Sequence, residues 1–203
     1  PQRRLDDALR SIPGFSLFRR SSSRVAHPTT QGVSLRNLGP NGAGRTLVLL
    51  DGIPLNDPFG GWVYWNRLPV SSIEGVEMMR GGGAGPWGNA ALGGVIHLFS
   101  RKPEKDFALI EASGGNSGTS DISLVAQKSS DDLDVFITAN RFSTDGYPVL
   151  RADQRGLIDR DAFSEAELIK GGFRWRLTDN NTLVFNASYF NEERGNGTPL
   201  AAN

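Results

Sequence analysis

The sequence predicts a small α+β domain over residues 1–103, followed over 104–203 by a run of antiparallel strands. Two observations carry this reading. The first part is punctuated by glycine at irregular spacing, whereas the second alternates apolar and polar side chains between hairpin-length turns. The change falls at Pro103. A chain of 203 residues holds one or two domains. Lys+Arg 22 against Asp+Glu 22 leaves no formal net charge, so the basic footprint of a nucleic-acid binder is missing. The absence of cysteine removes thiolate metal sites and disulfide frameworks, and 2 histidines argue against a histidine metal site. No run approaches the roughly 20 apolar residues of a spanning helix. That leaves a β-barrel open, since barrel strands cross a membrane on alternation alone.

The elements follow in order. Leu5, Ala8, Leu9 and Ile12 make one apolar stripe on a short helix, which Pro13-Gly14 stops. No basic, apolar or cleavage-site leader stands ahead of it, which reads as a mature or truncated start. Phe15 to Phe18 is a brief apolar run, and 19–32 reads as a loop whose Arg19, Arg20, Arg24 and His27 form a solvated face. Strands are expected near 33–36, 47–52, 73–79 and 94–99, together building one small sheet. The second ends in Asp51-Gly52, a turn pair, and the third in Arg80-Gly81.

Between them, IPLNDPFGGWVYWN sets Asn56, Asp57, Pro58, Gly60 and Gly61 as breakers among the rings of Phe59, Trp62, Tyr64 and Trp65. One or two of these rings, Trp65 or Tyr64, are expected to fill the core. The others are free to stack on a flat apolar ligand. Gly83, Gly85 and Gly88 fit the G-x-G-x-x-G of a dinucleotide fingerprint. That reading fails, because only Asn89 to Leu92 separate Gly88 from Gly93 and a phosphate site needs a full helix there. Pro86 also lacks an N–H, and Trp87 is bulky where a pyrophosphate must approach.

Beyond Pro103, strands are expected near 107–114, 119–128, 133–142, 168–177 and 182–191. Ile122, Leu124 and Ala126 alternate with Ser123, Val125 and Gln127. Ile169, Phe173, Trp175 and Leu177 alternate with Lys170, Arg174 and Arg176, and Leu183, Phe185, Ala187 and Tyr189 with Asn186 and Ser188. Such alternation fits a barrel wall or a soluble antiparallel sheet equally. The connections GNSG, SSDD and TDNN are short, while Ser143 to Glu167 is long and acidic. If the first strand runs outward, the two tight turns SSDD and TDNN fall at the periplasmic side and the long segment outside, as in outer-membrane barrels.

The stretches TLVLLDGIPLNDPFGG and SSIEGVEMMRGGGAGPWGNAALGGVIHLFS closely resemble the plug domain of TonB-dependent outer-membrane receptors. The resemblance covers residues 5–103 and implies the fold class: an α+β plug domain, then the first about five strands of a plugged transmembrane β-barrel of about 22, so a fragment. It implies uptake of a metal chelate such as a siderophore, of cobalamin or of a similar nutrient, in the bacterial outer membrane, with TonB and outer-membrane lipid as partners. No intrinsic cofactor, resident metal, catalytic residue or nucleic-acid partner is implied. The TonB-contacting segment belongs ahead of the helix, outside this sequence.

The resemblance places Arg20, Arg24, Asn56, Asp57, Phe59, Trp62 and Tyr64 on apical, cargo-facing loops that lie side by side. It makes Arg36 and Arg80 a lock to glutamates on the barrel wall, and Asp51, Gly52, Gly81, Gly88, Gly93 and Gly94 structural turns. Asn37, Gly82 and His97 depart from the family's usual glycine, proline and asparagine. The competing reading is a soluble β-rich ligand-binding module with no transport role.

Overall fold

A computed structural model describes residues 4–17, 19, 22–24, 26–35, 45–81 and 84–197. The chain divides into two units, Gln2–Arg101 and Lys102–Asn203.

In the first unit, helix α1 (Leu5–Leu9) is followed by β1 (Phe15–Leu17), β2 (Val33–Leu35), β3 (Thr46–Leu50), β4 (Ile53–Pro54), β5 (Ile73–Arg80), the one-turn helix α2 (Ala84–Trp87) and β6 (Gly94–Ser100). The sheet is four-stranded in the order β4-β3-β6-β5. Strand β3 runs parallel to β6, while β5 pairs antiparallel with β6. TLVLL reads as an unbroken apolar run because β3 is buried on both faces. Val48, Ile96 and Leu98 join Leu5, Leu9, Phe15, Leu35 and Trp65 in the main core. Leu47, Leu49 and Val95 close a smaller core with Ala91 on the other side.

Two expectations change. The strand at 33–35 does not join the four-stranded sheet; it pairs antiparallel with β1, Phe15 opposite Leu35. The edge place is taken by β4, which folds back across Asp51-Gly52. Both turn residues have positive φ, 52° and 86°. This is the backbone that a two-residue hairpin of the strands' own twist requires, and Asp-Gly tolerates it. The helix stops at Leu9, short of the predicted stripe, and Ile12 packs against the core from the following turn.

After Gly88 there is a single 3₁₀ turn, Asn89–Ala91, and then β6. A phosphate-binding helix has no place there. Gly81 and Gly88 take positive φ. A Cβ on Gly93 would stand 2.9 Å from the Arg45 carbonyl, and one on Gly94 (φ 133°) 2.2 Å from the Met79 carbonyl, so the start of β6 passes too close to its neighbours for a side chain.

The second unit is a five-stranded antiparallel meander, β7 (Phe107–Gly114), β8 (Ser120–Ser129), β9 (Leu133–Thr144), β10 (Ser164–Thr178) and β11 (Asn181–Arg194), each strand paired with its sequence neighbours. The register aligns the alternating sets. Ile110, Leu124, Ala139, Ile169 and Tyr189 form one row across all five strands. Below it run Ala108, Ala126, Ile137, Gly171 and Ala187, then Val135, Phe173 and Phe185, then Leu133, Trp175 and Leu183. One face therefore carries an apolar band across all five strands, with Lys128 and the Arg141–Glu167 pair at its margins. The other is mixed: Ser123, Asn140, Thr138, Lys170, Ser188, Asp134 and Arg174 stand among Leu109, Val125, Phe136, Phe142, Leu168, Val184 and Phe190.

The strands on either side of the long segment reach farther than the alternation shows, to Thr144 and from Ser164. Their extensions are Ser, Thr and Glu with one small apolar residue, Ala166, so little apolar signal marks them. The irregular part is 145–163, stapled by a bridge between Pro148 and Asp161. It shares an end of the sheet with the β7–β8 turn, where the Asp145 N–H donates to the Ser117 carbonyl (2.9 Å). The tight turns at 130–132 and 179–180 lie at the opposite end.

Candidate functional site

The aromatic loop between β4 and the 3₁₀ turn at Trp65–Arg67 is built by its polar residues. Asn56 Oδ1 accepts from the Val48 N–H (2.7 Å), and its Nδ2 donates to the carbonyls of Thr46 (3.1 Å) and Gly61 (2.9 Å). The whole amide is engaged with backbone. Asn56 therefore shapes the loop. Asp57 Oδ1 accepts from the N–H groups of Phe59 (2.9 Å) and Gly60 (2.8 Å), while the Asp57 N–H reaches the Trp62 carbonyl (2.8 Å). This is the local side-chain bonding that lets Asp initiate turns.

The four rings separate by environment. Trp65 is 1% exposed and sits in the core. Phe59, at the loop tip, is 97% exposed. Trp62 and Tyr64 are half-buried and meet edge to face, 6.5 Å between centroids. The Trp62 indole lies over Gly60, where a Cβ would come within 1.6 Å of the ring. Its Nε1 is buried with no hydrogen-bond partner among the described residues. An N–H so placed wants an acceptor from outside the loop.

The loop over 19–32 touches this one. The Gln31 carbonyl accepts both the Val63 N–H (3.3 Å) and Trp65 Nε1 (3.2 Å). The two loops are thus neighbours within the first unit. Arg20 and Arg36 lie outside the described residues. Arg24 is half-buried. Arg19, read in the sequence as part of a solvated face, is instead buried, with its guanidinium on the Asp6 carboxylate. Asp6 is itself fully buried and also accepts from Ser23 Oγ (3.0 Å). Neither charge stands alone, which is the condition for burying either. Nothing local to RRSSSR announces this, because the partner lies 13 residues upstream.

Arg80 ends β5 as expected and is exposed; its guanidinium lies beside Gly14, 3.7 Å from where a Cβ there would stand. Among the described residues no carboxylate pairs with it. Asp51 does more than turn the chain. Its carboxylate accepts from the N–H (2.9 Å) and hydroxyl (2.6 Å) of Ser100, tying the hairpin to the end of β6.

In the second unit, Arg176 clamps the 130–134 turn. Its guanidinium donates to both oxygens of Asp134 (2.7 and 3.0 Å) and to the carbonyls of Ser130 (2.5 Å) and Asp131 (2.7 Å). Asp134 also accepts from Ser129 Oγ (2.6 Å). Among the described residues nothing covers the apolar band: Ile110, Ile137, Ile169, Trp175, Leu183, Phe185 and Tyr189 are each more than 40% exposed. An apolar surface of that extent marks contact with a membrane or a partner.

Comparison with known proteins agrees with this architecture. Residues 1–95 match the family described as TonB-dependent Receptor Plug Domain. A ferric enterobactin receptor of Pseudomonas aeruginosa is 27% identical over 93% of this chain and 29% of its own length. A vitamin B12 transporter, BtuB, of Vibrio vulnificus is 28% identical over 89% of this chain and 28% of its own. The crystal structure of the siderophore receptor PirA from Acinetobacter baumannii superposes with a TM-score of 0.71 at 20% identity, over 96% of this chain and 30% of that one. The chain thus spans about three tenths of the length of the curated relatives it matches. With a plug-domain match over residues 1–95 and relatives that run on through the strands of its second unit, the chain is similar to the TonB-dependent receptors.

Proposed function

We propose that the chain is the plug and the first wall strands of an outer-membrane receptor that takes up a metal chelate or cobalamin-type nutrient, with TonB supplying the energy. The observation that carries this is the combination of a plug fold with a meander one face of which bears an exposed apolar band across all five strands. A soluble module has no use for such a face; a barrel wall needs it. The relatives favour the same side, since those named are receptors and transporters. They give no support to an enzymatic role.

Within this reading, Phe59, Trp62 and Tyr64 offer ring contact to the cargo, and the Asp57 carboxylate offers directional bonds. Arg20 and Arg24 attract its negative groups. Arg36 and Arg80 meet carboxylates on parts of the barrel outside this sequence. The test is binding of ferric enterobactin and of cobalamin to the full-length receptor, for whichever the parent transports. Trp62→Ala and Phe59→Ala should each weaken binding about tenfold, the worth of one well-packed ring contact. Parental affinity in both variants moves the cargo site off this loop.

A further inference from the structure

The apolar band of the meander is not smooth. Beside the 130–132 turn a groove of about 630 Å³ spans β7, β8 and β9, lined by Asp106, Ala108, Ala126, Lys128, Val135 and Ile137. The register puts Ala108, Ala126 and Ile137 in one row across the three strands, and Lys128 beside Val135 in the next row toward the turn. Two adjacent alanines make the hollow, because their methyl groups stop short of the longer side chains around them. The volume falls within the roughly 300–1,000 Å³ of small-molecule sites.

Charge is confined to one end of this groove. Asp106 stands immediately before β7, and its Oδ1 accepts from the Ser129 N–H (3.0 Å), which fixes the carboxylate beside β8. Lys128 is exposed, and among the described residues no carboxylate pairs with it, Asp106 included. Trp175 lies one row nearer the turn, opposite Leu133, and is 47% exposed. An indole at that level of a barrel wall marks the membrane–water boundary. On the wall reading, Lys128 and Asp106 are then at headgroup depth and the two alanines at acyl depth.

We propose that the groove is a lipid site that selects a phospholipid whose headgroup ends in a primary ammonium. The site rests on the wall reading above. The lipid phosphate sits against the Lys128 ammonium, the headgroup ammonium donates to the Asp106 carboxylate, and one acyl chain lies over Ala108 and Ala126. A quaternary ammonium has no N–H to give that carboxylate, and a headgroup with phosphate as its only charge meets Asp106 as a like charge. The pairing of one cation with one anion therefore sets the preference.

The test titrates the full-length receptor in detergent with phosphatidylethanolamine, phosphatidylcholine and phosphatidylglycerol of the same acyl chains, and reads retained lipid by native mass spectrometry. Phosphatidylethanolamine should be held about fivefold more tightly than either of the others, the worth of one charge contact at the interface. Lys128→Gln should weaken it about fivefold, and Asp106→Asn should abolish the preference over phosphatidylcholine. Ala126→Trp fills the groove and should remove the retained lipid. Ala187→Trp is the control, in the same row as Ile137 but two strands beyond it and off the groove; retention should match the parent. Flotation with liposomes reads insertion alone and should be the same for the parent and every variant, so loss of the site and loss of the wall are distinguishable. A parent that does not float removes the wall and the site with it. Equal retention of the three lipids, parental retention in the Ala126 variant, or the same loss in the Ala187 variant overturns the site while leaving the wall in place.

Discussion

Asn56 is the residue on which the aromatic loop depends most. Its amide satisfies the Val48 N–H at the centre of β3 and two carbonyls at once. Asn56→Ala leaves those groups without partners and should cost about 2–4 kcal/mol, read as a lowered midpoint for plug unfolding in denaturant. A loss under about 0.5 kcal/mol, the scale of an ordinary surface change, would show that the amide is not structural. Gly94 is the second such position. At φ 133°, with the Met79 carbonyl 2.2 Å from any Cβ, Gly94→Ala should prevent the plug from folding. The readout is loss of protease resistance in the plug, and a protease-resistant variant would contradict it.

These two residues differ in how plainly the sequence declares them. Gly93-Gly94 ahead of a strand reads as a close approach of backbones. Asn56 reads as a loop breaker among breakers, because its partners at Thr46 and Val48 are brought to it only by the fold. Arg19 was hidden for the same reason, since Asp6 reaches it only after α1 has docked.

At the scale of elements, period-two alternation was enough to find all five wall strands and both faces. Their ends were not legible where Ser, Thr and Glu, with Ala166 alone between them, carry the ladder past the apolar band, at 143–144 and 164–167. The pairing of β2 was not legible either, because three residues from Val33 to Leu35 fit any neighbouring edge. The face assignment makes a direct prediction. Phe185 lies on the apolar face and Asn186 on the other, one residue apart on β11. Phe185→Arg should destabilise the receptor in a bilayer by about 2–4 kcal/mol, while Asn186→Arg should be far milder. Equal effects of the two, measured by unfolding from lipid, would mean that the faces are not divided between lipid and lumen.

At the scale of the whole molecule, the proposed plug is followed in sequence by strands proposed to be one part of a larger barrel. Arg36 and Arg80 belong to that scale, because the lock proposed for them is closed by residues outside this sequence. Replacing both with alanine in the full-length receptor should loosen the plug, since a desolvated arginine-carboxylate pair is costly to break. Cells carrying the double variant should become more sensitive to bulky antibiotics, and unchanged sensitivity would count against the lock.

The central claim is that the meander is a membrane wall. It is tested most directly by placing a spin label in turn at 169, 170, 173, 174, 185, 186, 188 and 189 of the full-length receptor in bilayers. Collisions with dissolved oxygen and with a water-soluble nickel chelate are then compared at each position. A membrane wall gives strict alternation, with oxygen favoured at 169, 173, 185 and 189 and no such preference at 170, 174, 186 and 188. Equal access of the nickel chelate to both sets would contradict it and return the chain to a soluble sheet.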